Sequence, residues 1–155
     1  MPKTDRELLK DQEAGSLNSS GAVDPVGAVA QAHEETFVFL NVAGSPLAEI
    51  AYHMRKKCRV KSIVALPAAG LATAAANYVT GTVGKRDAAG ANPLAIGSFT
   101  TNSTGGAALV AFVPQNIVPN ANAEIAAGAS LTYALVDNAT TTEVAVAVSV
   151  TVEYI

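Results

Sequence analysis

Cys58 is the one thiol of the 155-residue chain, and His53 stands five residues before it, with His33 farther off. A thiol beside an imidazole is the pair that nucleophilic catalysis uses, because the thiolate attacks and the imidazole takes the proton. Such partners meet in space rather than in sequence, so spacing alone leaves the pair open. A buried structural thiol is the simpler expectation. Zinc wants four ligands at recognisable spacing, which two histidines and one cysteine do not offer. A single cysteine also makes no internal disulfide, so nothing implies an oxidising compartment.

Other constellations are equally thin. "TVGKRD" at 82–87 has the look of a phosphate loop, but it lacks the earlier glycine and carries Arg86 where Ser or Thr would hold magnesium. It reads better as the polar end of a hairpin. Asp87, Glu124, Asp137, Glu143 and Glu153 fall singly on five segments, so spacing proposes no carboxylate pair for acid–base work. Asn18, Asn102 and Asn138 fit N-x-S/T, a pattern that matters only in a secreted eukaryotic protein and otherwise marks loops. An enzyme is therefore the unfavoured class, and no cofactor or metal is expected.

Charge is informative locally. A net charge of −3 argues against a dedicated nucleic-acid binder. Yet Arg55, Lys56, Lys57, Arg59 and Lys61 gather five of the ten basic residues into "RKKCRVK". One reading is a solvated strand edge whose cations block edge-to-edge aggregation; the other is a docking stripe for an acidic protein surface. No aromatic residue is interleaved with the run, which disfavours phosphate binding. The longest apolar runs are broken by Gly, Pro or Thr before the roughly 20 residues a membrane span needs, and no charged-then-apolar signal opens the chain. A soluble, non-exported protein with no membrane partner is expected.

The elements that must carry these residues come next. A chain of this length is one domain with an appendage. Half of its residues are hydrophobic, but many are alanine. At about 0.8 kcal/mol per buried methylene an alanine-rich core stabilises weakly, so oligomerisation or a docking surface is expected to help. Residues 4–14, "TDRELLKDQEA", carry a capping box from Thr4 to Glu7 and stop at Gly15, which predicts a short helix. Residues 16–32 are small, aperiodic and linker-like. Together 1–34 read as an extended N-terminal arm, whose exposed length would need a surface to lie on.

Beyond it, strand-like stretches recur between turn signals at 36–42, 47–53, 58–66, 77–83, 94–101, 107–113, 123–128 and 130–137, with a Pro-bounded loop from Pro114 to Asn120. Alanine content would permit helix in "AALVAFV" and "GLATAAANYV", but β-branched residues, flanking glycines and the lack of three-to-four spacing favour strand. In "SLTYALVD", Leu131, Tyr133 and Leu135 share one face and Thr132, Ala134 and Val136 the other, both fairly apolar. From Val144, valines alternate with Ala145, Ala147, Ser149, Thr151 and Glu153 up to Tyr154. That is a long strand with one buried face, expected near the centre of its sheet. Eight or nine such strands predict an all-β antiparallel sandwich or barrel over 35–155.

The succession "CRVKSIVALP", "TAAANYVTGTVGKRDAAG", "SFTTNSTGGAALVAFVP", "NAEIAAGASLTYALVD" and a last strand ending "VSVTVEY" resembles small virion proteins of tailed bacteriophages. In particular, it resembles capsid decoration (cement) proteins with a jelly-roll-like β-sandwich, over roughly residues 35–155. The resemblance implies a structural protein made in the host cytoplasm that binds the outer capsid surface. It implies the major capsid protein and further copies of the chain, as a homotrimer, as partners, and bracing of capsomers against DNA pressure as the role. Leu8, Leu9, Val23, Val26 and Val29 are then the expected apolar anchors of the arm, and Arg55, Lys56, Lys57, Arg59 and Lys61 the candidate docking cations. The alternative is a receptor- or carbohydrate-binding module of a phage fibre or tail component. Sugar platforms present aromatic rings, and a chain with no Trp and 5% aromatics is poorly equipped for that.

Overall fold

The computed structural model describes residues 33–41, 47–138 and 144–155. The expected helix at 4–14 and the anchors Leu8, Leu9, Val23, Val26 and Val29 lie outside the described residues. Nine strands follow in order: β1 (Glu34–Leu40), β2 (Leu47–His53), β3 (Cys58–Pro67), β4 (Val79–Arg86), β5 (Leu94–Thr100), β6 (Gln115–Ile117), β7 (Glu124–Ile125), β8 (Ser130–Asp137) and β9 (Val146–Tyr154). One sheet has the order β1-β9-β3-β6, with β7 also on β3, and the other has the order β2-β8-β4-β5. Every strand pairing is antiparallel.

This is a β-sandwich, and its connectivity is that of a jelly roll: first and last strands adjoin in one sheet, second and penultimate in the other. Val146, Val148, Val150 and Val152 point inward and are buried, while the residues between them are half-buried on the outer face. Valine alternation thus places β9 between β1 and β3, as its regularity predicts. Strands β6 and β7 pair with opposite ends of β3 and form one interrupted edge.

Strand β3 hides its own alternation. Cys58 and Val60 are buried, then Ile63 and Ala65, a shift of one position. The cause is a bulge: Val60 opposes Val152 and Ser62 opposes Thr151, leaving Lys61 as the extra residue. Across the sandwich, Phe39 of β1 packs on Tyr133 of β8 with ring centroids 5.6 Å apart, and edge-on against Tyr52 of β2 at 5.0 Å. Gly81 of β4 makes room for the Phe99 ring of β5, which fills the space a Cβ would need.

Several expected boundaries move. Residues 107–113 are a loop, not a strand. Only Leu109 makes a bridge, to Leu71, before a turn closes from the Val113 N–H to the Val110 carbonyl at 3.1 Å. Gly105, at φ 84°, has already turned the chain away from the sheet. The expected loop at 114–120 instead contributes β6, β7 keeps only two residues, and β4 runs on to Arg86. The terminal strand starts at Val146 rather than Val144 and has nine residues. Among the described residues no helix forms.

Candidate functional site

The residues that could do chemistry do not converge. Cys58 is fully buried on the inner face of β3, and burial, followed by the Glu35 carboxylate, pushes its thiol up, away from the thiolate. His53 is exposed at the end of β2. Among the described residues no three His, Cys, Asp or Glu side chains gather as a metal site would require.

The "TVGKRD" segment ends a hairpin, as its composition predicts. Asp87 accepts the N–H groups of Ala89 at 3.0 Å and Ala91 at 2.8 Å and the Asn92 amide at 2.7 Å, which hold its carboxyl below the usual range. Arg86 grips Glu49 through Nε at 3.0 Å and Nη2 at 2.7 Å, and Lys85 donates to the Glu124 carbonyl at 2.6 Å. A cleft of about 330 Å³ opens here between Lys57, Lys85, Arg86 and Leu94. Lys57, Lys85 and Arg86 all engage carboxylates or carbonyls of the chain itself.

The basic run divides. Arg55, Lys56 and Lys57 occupy the turn between β2 and β3, while Arg59 and Lys61 project from β3. That strand lies inside its sheet, between β9 and the β6–β7 strand, so the run does not guard an edge. Arg59 donates to Glu124, Lys57 lies 3.2 Å from the same carboxylate, and Lys61 is 3.1 Å from Glu153. Arg59 first and Lys57 second hold the Glu124 carboxyl below its ordinary range.

What the fold does assemble is the outer face of the β1-β9-β3 sheet. Register puts Leu40, Ala147 and Leu66 in one cross-strand row, Val38, Ser149 and Val64 in the next, then Thr36, Thr151 and Ser62, and last Glu34, Glu153 and Arg59. The face therefore grades from apolar through hydroxyl to charged along about 20 Å of strand. At its apolar end Leu40 is 65% exposed, Val38 45% and Leu66 40%. Alanines between them keep the surface low, and a groove of about 230 Å³ runs among Leu40, Leu66, Ala147 and Phe112.

Phe112 rims that groove at an unusual cost. It is 74% exposed, and its φ of 58° lies in the left-handed region that a bulky side chain avoids. Such a conformation costs about 1–2 kcal/mol. The Phe112 N–H bonds the Pro67 carbonyl at 2.9 Å, which fixes the tip beside the end of β3. An exposed aromatic ring held in a strained turn thus stands beside an exposed apolar face. The outer face of the other sheet differs, offering mainly the half-buried Thr80, Thr82 and Ala134 around a buried Thr132, with Val136 its exposed large apolar residue on β8.

Sequence reading anticipated the small face of Ala145, Ala147 and Ser149 but not its partners Leu40, Leu66 and Phe112, which lie far from it in the chain. A comparison with protein-family models and with curated proteins finds no match.

Proposed function

We propose that the protein is a structural virion protein of the capsid decoration type, which docks on the outer capsid surface and braces capsomer contacts. The single observation behind this reading is the graded outer face of β1, β9 and β3, with its strained Phe112 rim. A jelly-roll body of this kind recurs in viral capsid proteins, which fits the resemblance carried by residues 35–155. Fold alone does not assign function; the face is the feature that distinguishes this body.

Magnitudes say how far that face goes. Fully burying an exposed large apolar side chain yields about 1.5–3 kcal/mol, and Val38, Leu40, Leu66 and Phe112 are only 40–74% exposed, so together they reach only the low end of the roughly 4–15 kcal/mol that association costs. A second tether is then needed for tight attachment, a part that the arm expected over residues 1–34 would play through effective concentration.

The test is co-sedimentation with capsids that lack the protein. Saturable binding at a fixed ratio to capsomers is expected, weakened about tenfold or more by Leu40→Asp and unchanged by Val136→Asp on the opposite sheet. Absence of binding by the unaltered chain would sink the reading, and glycan binding in its place would favour a fibre or tail module.

A further inference from the structure

Strand β1 is the most regular edge among the described strands, guarded only by the Tyr52 hydroxyl at the Val38 carbonyl and by Glu34 and Glu35 at one end. The other edges are blunted: β6 has three residues and is interrupted before β7, β2 carries a register shift between Leu47 and Ile50, and β5 starts after Pro93 opposite a shift at Val83/Gly84. Strand β1 has seven residues without proline, lysine or bulge.

Its hydrogen-bonding pattern can be read from two bonds. Tyr154 N–H donates to the His33 carbonyl at 3.1 Å, so odd residues of β1 face β9. The Tyr52 hydroxyl donates to the Val38 carbonyl at 3.1 Å, so even residues face away. Glu34, Thr36, Val38 and Leu40 therefore present N–H and C=O off the sheet edge, and within the described residues only the Val38 carbonyl has a partner there.

We infer that this edge pairs with the β1 edge of a second copy of the chain, antiparallel about a two-fold axis at Val38. In that register Val38 faces Val38 of the other copy and Thr36 faces Leu40, so apolar and hydroxyl groups meet in one row. On the inner side the Tyr52 ring already covers Phe37 and Phe39, at 5.1 and 5.0 Å, so the ladder and the outer row make the contact. The charges select the antiparallel sense: Glu34 and Glu35 of the two copies lie at opposite ends, whereas parallel pairing would stack four carboxylates in one cluster. About six ladder bonds form, and the Val38 carbonyl accepts one of them beside the Tyr52 hydroxyl on its second lone pair. The inference does not rest on the capsid reading, and its two-fold contact differs from the three-fold association the resemblance implies.

Sedimentation equilibrium of the full chain is the test. The expected result is a concentration-dependent mass of twice 15.7 kDa, with the amides of Thr36, Val38 and Leu40 exchanging more slowly as concentration rises. Val38→Pro removes an outward donor without touching the β9 ladder and should leave a folded monomer. Val38→Lys places two ammonium groups on the two-fold and should raise the dissociation constant about tenfold or more, even if the proline variant fails to fold. A monomer at all concentrations, a three-fold mass, or a dimer indifferent to Val38→Lys with unprotected β1 amides would overturn the inference.

Discussion

The Asn41 side-chain oxygen accepts the Val146 N–H at 2.7 Å across 105 positions of chain, while its amide donates to the Val144 carbonyl at 3.1 Å. One buried amide thus ties the end of β1 to the start of β9. Asn41→Ala strands both backbone groups, at about 1–3 kcal/mol for each buried group left unpaired. A drop of about 2–6 kcal/mol in urea unfolding is expected, read as a lower midpoint at constant slope. An unchanged midpoint would mean that water replaces the amide.

Gly81 and Phe99 form a second long-range lock. A methyl group at Gly81 meets the ring, not the backbone, so the clash is relieved only by moving Phe99 within the core. Gly81→Ala should cost about 1–3 kcal/mol, the range for overpacking. Adding Phe99→Leu should recover part of that loss, and a double-mutant cycle measures the coupling.

Phe112 should show opposite signs in stability and attachment. Asparagine tolerates the left-handed region, so Phe112→Asn should stabilise the fold by up to about 1 kcal/mol. The same change should weaken capsid co-sedimentation. A loss of stability would show that the ring packs usefully in the free protein.

Glu124 sets an acid dependence. Its folded pKa is depressed by Arg59 and Lys57, so its contribution is present above the unfolded carboxylate range near 4.3 and disappears as pH falls through the lower folded value. Glu124→Gln should therefore flatten the fall of stability below about pH 4.5 and leave its slope at neutral pH unchanged. An unaltered acid limb would assign that slope to other carboxylates, Glu49 with Arg86 first among them.

The legible parts of the fold were those where period and burial agree. Val146 to Val152 alternate without interruption, and Leu131, Tyr133 and Leu135 do the same in β8, so both strands and their inner faces follow from spacing. The bulge at Lys61 breaks the pattern of β3, and a short apolar run such as 107–113 carries no period that tells strand from loop. The outer face was illegible because it is a product of register. Leu40, Leu66 and Ala147 become neighbours only through β9, and the backbone angle that lifts Phe112 has no compositional mark. The basic run was visible as charge, yet its ion pairs depend on Glu124 arriving on β7 from 65 residues away.

Because β1 and β9 are antiparallel neighbours, His33 and Ile155 emerge at the same end of the ladder, where Glu34 opposes Glu153. Tension between these two residues would open that ladder as a zipper, one bond at a time, whereas a shearing pull would load all its bonds together. The body is mechanically soft along this axis. A pull normal to the sheet would instead be shared across β1, β9 and β3 and the buried valines behind them.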